Sequence, residues 1–454
     1  MEFLKKNTTL LLILLILSVL AWGRIHWYGD LRLSIATGDT HSYISASRVP
    51  LFSWKMFTAE RMFTTSLFYK IASDPIKCPP AVLSLPASGE ELPREVSPCF
   101  DKVALAQNAL SLFGWAFLAF AVAKPINNGF VKIAAVIIIP LFGYTPQIAE
   151  WDSVLGAEPL AFSFFTITVA LSILIAFHIA KSEHPFQNIN QKILAFCWII
   201  ALFLWAFIRD AHIYGVLITF AFATILFFVK NFRDNIPMKV MAIILLGIFV
   251  LGYVSAKASN RAGLPLINAI DEYIWPHPAR VDFFRVYGMP DRNDPNYLEW
   301  ANKNAFKAYG TFLAAHPGFI VMTIWEYKEY FYSDFSQAYF PTTDLKHREI
   351  LFFIGKILHS ETYTIYLIDL LLIVTLLIGA VKYRTADRFA WAWLALWMFF
   401  VALVTLFINF IGDIYNTRRH VMLGVEWLRL FFWVFLMPIL DQYLSKSSEV
   451  VSAR

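Results

Sequence analysis

Charged residues are scarce in this sequence. Asp, Glu, Lys and Arg make up only 16% of its 454 residues, whereas apolar residues make up 58% and the mean hydropathy is +0.57. Soluble domains carry about 25% charged and about 45–50% apolar residues. The composition therefore excludes an ordinary soluble domain and predicts a protein that crosses a membrane several times.

Common nucleotide-binding signatures are absent too. The chain has no Walker loop, no glycine-rich dinucleotide fingerprint and no repeat at a fixed period. The formal net charge of +5 does not indicate a nucleic acid, because Lys and Arg accumulate in cytoplasmic loops of membrane proteins for topological reasons. We therefore predict no nucleic-acid partner.

Cysteine is rare, with three residues in the chain. Cys78 and Cys99 lie in one polar, proline-rich segment, where an oxidising compartment would preserve a disulfide between them. Two free thiols are the alternative. Cys197 lies in an apolar run, and we expect it to pack against other apolar groups.

Ten apolar runs are long enough to cross the hydrocarbon core as helices. They cover residues 8–27, 103–123, 133–149, 158–180, 193–208, 211–229, 239–256, 362–381, 389–410 and 421–440. The first run follows two lysines, as in a signal peptide, but no small-residue cleavage site follows it, so we expect it to remain as a span. The predicted fold class is an all-α polytopic membrane protein.

Two long polar segments, 28–102 and 257–361, interrupt these runs. They divide the chain into three parts. The first part, 1–256, is a transmembrane core with the long first loop. The second, 257–361, is an extracytoplasmic segment with an interfacial helix, and the third, 362–454, holds the C-terminal spans and a short cytoplasmic tail.

Residues 316–335 ("HPGFIVMTIWEYKEYFYSDF") begin as apolar as a span, but three charged residues interrupt them. Ile320, Ile324 and Phe331 recur at helical spacing, which favours an amphipathic helix lying in the membrane interface. Residues 59–72 ("AERMFTTSLFYKIA") predict a similar helix, with a helix of a soluble ectodomain as the alternative. Its apolar side would hold Met62, Leu67, Phe68 and Ile71.

The short loops between the predicted spans fall into two classes by their charge. Four of them, 124–132, 181–192, 230–239 and 382–388, each carry at least two basic residues. The positive-inside rule places these loops and the N-terminus in the cytoplasm. The loops on the opposite face are then those rich in acidic residues, His and Tyr.

These opposite loops bring ionisable groups to one predicted surface. The candidate acids are Asp39, Glu150, Asp152 and Glu158; the candidate cations are Arg209, Arg418, Arg419 and His420; further candidates for substrate contact are His41, Tyr43 and His212. Structural roles are open for several of them, because an Asp after a span is commonly a cap and a Glu at a helix N-terminus is stabilised by the helix dipole. Inside the spans, Glu426 and Arg429 are predicted to form a structural pair on one helical face.

Arg418 and Arg419 lie in a loop where positive charge is unexpected, and a bound phosphate or other anion would offset that charge. Transfer of a sugar from a lipid-linked phosphate needs a base for the acceptor hydroxyl and cations for the departing phosphate. Asp39 is the candidate base, and the four candidate cations would stabilise the leaving group. A divalent cation held by acidic residues stays open, because no ligand spacing is diagnostic.

The order of these motifs resembles the GT-C glycosyltransferases, polytopic enzymes that use polyprenyl- or dolichyl-phosphate sugars. The motifs are an N-terminal span, "GDTHSYI", "RMFTTSLFYKIA", "EWDSVLGAEPLAF", "RDAHIY" and a late "RRH". The resemblance covers 1–230 and 400–440, and 257–361 falls outside it. It implies a hexosyl- or pentosyltransferase, inverting in stereochemistry, that acts on a lipid-linked sugar.

The resemblance also implies that Asp39 is catalytic, with a second acid from the next loop. Asp152 and Glu158 are favoured over Glu150 for that role. Thr40 follows Asp39 where protein mannosyltransferases carry a paired Asp-Glu, which implies a bacterial branch that modifies lipids or polysaccharides of the cell envelope. The site would then face the outside or periplasm from a bacterial inner membrane.

Two other functions are compatible with the sequence. A transporter would hold its substrate near the bilayer midplane on broken helices, often with repeat symmetry, and this chain shows no repeat. A lipid-linked polysaccharide ligase or polymerase would use a diphosphate donor and the same arginines. The acceptor, whether a glycan, a lipid or a protein, is not specified by these motifs.

Overall fold

The computed structural model describes residues 2–72, 80–86, 91–182, 185–186, 188–233, 235–259, 261, 263–335, 345–412 and 417–452. Its helices are α1 (Glu2–Trp27), α2 (Thr40–Ser47), α3 (Lys55–Thr58), α4 (Phe63–Ala72), α5 (Asp101–Ala123), α6 (Gly129–Tyr144), α7 (Pro146–Ala149), α8 (Glu158–Lys181), α9 (Ile189–Ala206), α10 (Asp210–Ile225), α11 (Lys230–Arg233), α12 (Ile236–Ser259), α13 (Gly263–Tyr273), α14 (Pro278–Arg285), α15 (Tyr297–Trp300), α16 (Phe306–Ala315), α17 (Pro317–Glu326), α18 (Leu345–Leu358), α19 (Thr364–Tyr383), α20 (Ala386–Gly412) and α21 (Thr417–Ser452).

The predicted all-α polytopic fold is confirmed. Within the described ranges, nine helices are long and apolar enough to span a membrane: α1, α5, α8, α9, α10, α12, α19, α20 and α21. A tenth candidate is α6 together with Pro146–Ser153, which bends by 47° at the break. The predicted run 133–149 is therefore not one straight helix, because Thr145 is extended and Pro146 starts a new helix.

Helix α8 is the centre of the bundle. Neighbouring helices bury 89% of its most apolar window, which explains why this run is apolar on all sides. It packs closely against α5, where a Cβ on Gly114 would lie 2.6 Å from Thr166 Oγ1. A glycine at this crossing lets the two backbones approach, as small residues do between membrane helices.

A two-stranded antiparallel hairpin interrupts the helical architecture in the first long loop. Its strands are β1 (Ala81–Pro86) and β2 (Glu91–Val96). This proline-rich segment has no alternating apolar pattern, so its sequence did not predict strands. Cys99, just after β2, is disulfide-bonded, and Cys78 lies outside the described residues.

Two predictions about single positions need correction. Cys197 is exposed on α9 and does not pack inside the bundle, because lipid solvates an apolar side chain as well as a core does. Helix α4 forms where residues 59–72 predicted a helix, but Ile71 is exposed, whereas Thr64, Thr65, Ser66 and Tyr69 are buried against the bundle.

Residues 263–326 form a small helical unit with its own aromatic core, which includes Tyr273, Trp300 and Phe312. The hydroxyl of Tyr309 donates to the Ile411 carbonyl at 3.0 Å, which attaches the unit to the end of α20. Helix α17 has ten residues and is about 15 Å long, half the thickness of a hydrocarbon core. It is therefore too short to be an eleventh span.

The apolar surface of α17 differs from the predicted one. Ile324 and Phe331 pack against the transmembrane core, whereas Val321, Met322 and Trp325 are exposed. The spacing of Ile320, Ile324 and Phe331 predicted one helix, but α17 ends at Glu326 and Phe331 lies in a separate 3-10 turn, Lys328–Phe331.

Candidate functional site

A short β-bridge aligns the first two predicted loops. Ile35 pairs in parallel with Val154, through hydrogen bonds from Ile35 N to Ser153 O at 2.8 Å and from Leu155 N to Ile35 O at 2.9 Å. Asp39 follows Ile35 by four residues, and Glu158 follows Val154 by four. The bridge holds the two segments side by side and in the same direction, and Arg419 contacts both acidic residues.

Glu158 is the buried centre of the cluster. Its side chain is 0% exposed and accepts hydrogen bonds from two arginines. Arg419 binds both carboxylate oxygens, with Nε to Oε1 at 2.6 Å and Nη2 to Oε2 at 3.2 Å, and Arg209 Nη2 donates to Oε1 as well. A buried carboxylate needs such partners, since isolation from water would cost several kcal/mol.

Asp39 lies on the exposed side of the same cluster. Its carboxylate is 44% exposed and accepts a hydrogen bond at Oδ2 from Arg419 Nη1 at 3.0 Å. It also forms an ion pair with Arg61, whose Nη2 lies 3.2 Å from Oδ1. Arg419 therefore joins the two carboxylates. We call the set Asp39, Arg61, Glu158, Arg209 and Arg419 the arginine–carboxylate cluster.

Four helices begin at this cluster. Asp39 is the N-cap of α2, Glu158 is the first residue of α8, Arg209 is the N-cap of α10, and Arg419 lies in the first turn of α21. Helix N-termini carry partial positive charge. Three guanidinium groups against two carboxylates leave a further positive charge. The cluster therefore favours one additional anion.

Tyr43 packs against Arg61 on the exposed side of the cluster. The Arg61 guanidinium lies 4.3 Å from the centroid of the Tyr43 ring, and that ring stacks on Tyr69 at 5.2 Å. Burial raises the pKa of the Tyr43 hydroxyl above its ordinary value, so the phenol stays neutral. Tyr43 is thus placed to orient Arg61.

The other two acids of the second loop pair elsewhere. Asp152 Oδ2 lies 3.4 Å from Arg24 Nη2, which also donates to Asn108 Oδ1 at 2.9 Å. Glu150 accepts two hydrogen bonds from Arg348 of α18, one of them from Nη2 to Oε2 at 3.0 Å. Glu158 is therefore the second-loop acid that the structure brings to Asp39.

Of the remaining predicted site residues, some lie at the cluster and others lie away from it. His420 lies within electrostatic range of Arg209 and Glu158. His41 is exposed beside the cluster, with Nδ1 3.0 Å from Gly38 O. His212 is buried and stacks on Trp205 at 4.7 Å, so it belongs to the helix core.

Arg418 contacts a different segment from its neighbour. Its Nη2 donates to Ser333 Oγ at 2.8 Å and to the Asp334 carbonyl at 3.3 Å. Arg429, deeper in α21, also donates to the Asp334 carboxylate and to Glu426, which confirms the predicted Glu426–Arg429 pair. Asp210 pairs with Arg261, whose Nη2 lies 3.0 Å from Oδ1.

Sequence reasoning missed Arg61. The residue lies at the start of the stretch that predicted an interfacial helix, so it was not counted among the candidate cations. The charge of Arg61 was no signal by itself, because the long 28–102 loop carries several other Lys and Arg, and the positive-inside rule applies to short loops.

The cluster does not fit a divalent cation. The carboxylates of Asp39 and Glu158 already face three guanidinium groups, whose charge repels a metal ion. Among the residues that the structure describes, no group of three or more His, Cys, Asp or Glu is placed to hold a metal.

Comparison with known proteins gives structural matches only. No protein-family model and no curated protein sequence matches the chain. Among solved structures, the chain is similar to the archaeal oligosaccharyltransferase AglB from Archaeoglobus fulgidus in complex with an inhibitory peptide and a dolichol-phosphate. That match has 13% identity, a TM-score of 0.48, and coverage of 98% of this chain and 52% of the other.

A second structure of the Archaeoglobus fulgidus oligosaccharyltransferase, with Zn and sulfate, matches at 13% identity and a TM-score of 0.45, over 94% of this chain and 49% of that one. Archaeal oligosaccharyltransferases are GT-C glycosyltransferases, the superfamily that the sequence motifs resemble. The chain spans about half the length of these proteins. With TM-scores below 0.5, the likeness carries no conclusion about substrate or mechanism.

Proposed function

We propose that the chain is an integral-membrane glycosyltransferase that moves a sugar from a polyprenyl-phosphate donor to an acceptor hydroxyl on a glycan, lipid or protein. The observation that carries this proposal is the arginine–carboxylate cluster. It combines a half-exposed carboxylate with three arginines and four helix N-termini at one end of a membrane bundle. These are the groups that a base and an anionic leaving group require.

The charge of the cluster favours a monophosphate donor. Its surplus of one positive charge matches a sugar phosphodiester, which carries one negative charge. A diphosphate donor brings a second negative charge that the described cluster does not offset. This distinction favours a polyprenyl-phosphate sugar over the diphosphate donor of a polysaccharide ligase or polymerase.

The transfer step uses one base. Asp39 accepts the proton of the acceptor hydroxyl, the hydroxyl oxygen bonds to the anomeric carbon, and the bond from that carbon to the phosphate oxygen breaks with its electron pair. The polyprenyl phosphate leaves with one more negative charge, which Arg419 and Arg209 stabilise. Glu158 is buried between two arginines, where it holds them in position and is shielded from the sugar.

The same arrangement favours inversion at the anomeric carbon. A retaining double displacement needs a carboxylate nucleophile in addition to an acid–base group. Of the two carboxylates in the cluster, only Asp39 is exposed. A single displacement that uses one base inverts the configuration.

Turnover of defined donors by the purified chain tests the proposal. We expect sugar release from a synthetic polyprenyl-phosphate hexose or pentose, and much slower release from the matching diphosphate. Release only from the diphosphate would favour the ligase or polymerase. Accumulation of a small solute in proteoliposomes, without sugar release, would favour a transporter.

Gly156→Ala is expected to slow transfer about 10- to 100-fold. The new Cβ would lie 2.5 Å from Glu158 Oε2 and 3.6 Å from Arg419 Nη2, so the carboxylate must move away from an arginine. Loss of one charge-assisted hydrogen bond has about this effect. Gly247→Ala is the matched control, because beyond its own stretch of α12 no described atom lies within 4 Å of its Cβ position. Equal rates for the two variants would show that the placement of Glu158 is unimportant.

The orientation of the chain also follows from the proposal, since lipid-linked sugars would reach the cluster from outside. In a Cys197→Ser background, we expect an impermeant thiol reagent applied to intact cells to label Ser45→Cys in the Asp39 loop and not Thr385→Cys. Ser45 is exposed, and Thr385 lies in the basic loop between α19 and α20. Labelling of Thr385→Cys from outside would invert the topology.

A further inference from the structure

Both oxygens of the Asp39 carboxylate face a guanidinium group. Oδ1 forms an ion pair with Arg61 at 3.2 Å, and Oδ2 accepts a hydrogen bond from Arg419 at 3.0 Å. A carboxylate oxygen has two lone pairs, so each oxygen of Asp39 keeps one for an acceptor hydroxyl. In this arrangement, however, two guanidinium groups compete with the hydroxyl for the carboxylate.

Arg61 is held in place by groups other than Asp39. Its Nε donates to Ser42 Oγ at 2.6 Å, and its guanidinium lies against the Tyr43 ring, which the stack on Tyr69 fixes in turn. Arg419 is likewise fixed by its two hydrogen bonds to Glu158. The two guanidinium groups therefore have anchors that would remain if the Asp39 side chain turned away.

The pair of guanidinium groups suits a phosphodiester. Two fixed arginines that bracket the two oxygens of one carboxylate present donors that also match the two non-bridging oxygens of a phosphodiester. The single negative charge of the phosphodiester is offset by the surplus positive charge of the cluster, so the Asp39 carboxylate can turn aside and stay nearby. Arg61 is 27% exposed and Asp39 is 44% exposed, so a ligand can reach this position.

We propose that Arg61 and Arg419 form the phosphate subsite of the donor, and that the Asp39 carboxylate occupies this subsite until the donor displaces it. This inference rests on the proposed function and adds a residue and an order of events to it. Displacement releases the Asp39 carboxylate as the base only when a donor is bound. The donor must then bind before the acceptor is deprotonated.

Binding of farnesyl phosphate to the full chain in detergent tests the assignment of Arg61, with farnesol as the control for the lipid tail. We expect Arg61→Gln to weaken farnesyl phosphate binding about tenfold or more, because a charge-assisted hydrogen bond is lost. Arg48→Gln is the matched control, since Arg48 is an exposed arginine of the same loop, and we expect no change. Unchanged affinity in Arg61→Gln together with a loss in Arg419→Gln would overturn the role of Arg61 and leave the proposed function standing.

The displacement itself is tested by a double-mutant cycle. Asp39→Asn should tighten farnesyl phosphate binding, because the two arginines lose their charged occupant, and this gain should disappear in the Arg61→Gln background. Through-space repulsion alone would give the same gain in both backgrounds and would overturn the displacement. If Arg61→Gln does not fold, Arg61→Lys replaces it, since Lys keeps the charge but loses the planar fork, and weaker binding than in the wild type is again expected. Equal binding of farnesol and farnesyl phosphate by the wild type would instead reject the proposed donor.

Discussion

Asp39→Asn is expected to lower the rate of sugar transfer by about 10²- to 10⁴-fold while the protein stays folded. Asn keeps the size of the side chain and an oxygen for one arginine, but it removes the charge that accepts the proton. The Asp39 side chain makes no capping hydrogen bond to α2, so the substitution removes none from this helix. The measurement is sugar transfer from a synthetic polyprenyl-phosphate donor, with thermal unfolding of the same preparation.

Asp30→Asn is the matched control for this variant. Asp30 is exposed and its carboxylate accepts a local hydrogen bond from Arg32 N at 2.9 Å, outside the cluster. We expect the control to transfer at the wild-type rate. Near-normal turnover by Asp39→Asn would remove Asp39 from catalysis and direct attention to the acids that pair with Arg24 and Arg348.

Arg419→Ala is expected to have the largest combined effect, on both stability and donor binding. The side chain bonds to Glu158 through two nitrogens and to Asp39 through a third, and Glu158 is fully buried. Removal of one partner from a buried ion pair costs about 3–5 kcal/mol, because the remaining charge is left with too few partners. Transfer should fall below detection, and the Tm should fall with it.

A second substitution separates the two effects. Glu158→Gln in the Arg419→Ala background removes the poorly compensated charge, so we expect part of the lost Tm to return without any return of transfer. Arg418→Ala is the neighbouring control. Arg418 binds Ser333 and Asp334, and we expect its loss to affect donor binding less than the loss of Arg419. If Arg418→Ala abolished transfer and Arg419→Ala did not, the wrong arginine would have been assigned to the phosphate.

The transmembrane architecture could be predicted from the sequence because hydropathy and helix length depend on local composition alone. Sidedness then placed Asp39, Glu158, Arg209 and Arg419 on one surface, and the structure brings these four together. Positive charge in loops predicted to lie outside was the useful signal, because nearby acidic residues must compensate that charge.

The choice among the second-loop acids could not be predicted in the same way. Glu150, Asp152 and Glu158 lie within nine residues of one another, and their partners are arginines distant in sequence. The parallel bridge between Ile35 and Val154 decides which acid lies beside Asp39. A single bridge of this kind leaves no periodic pattern in the sequence. The hairpin of β1 and β2 left none either.

The site of the donor phosphate is tested most directly by a structure of the chain with a polyprenyl phosphate bound. We expect phosphate oxygens within about 2.7–3.2 Å of guanidinium nitrogens of Arg61 and Arg419, with the Asp39 carboxylate turned away from both. A phosphate bound elsewhere, with Asp39 still paired to Arg61 and Arg419, would contradict the assignment of this cluster as the site of sugar transfer.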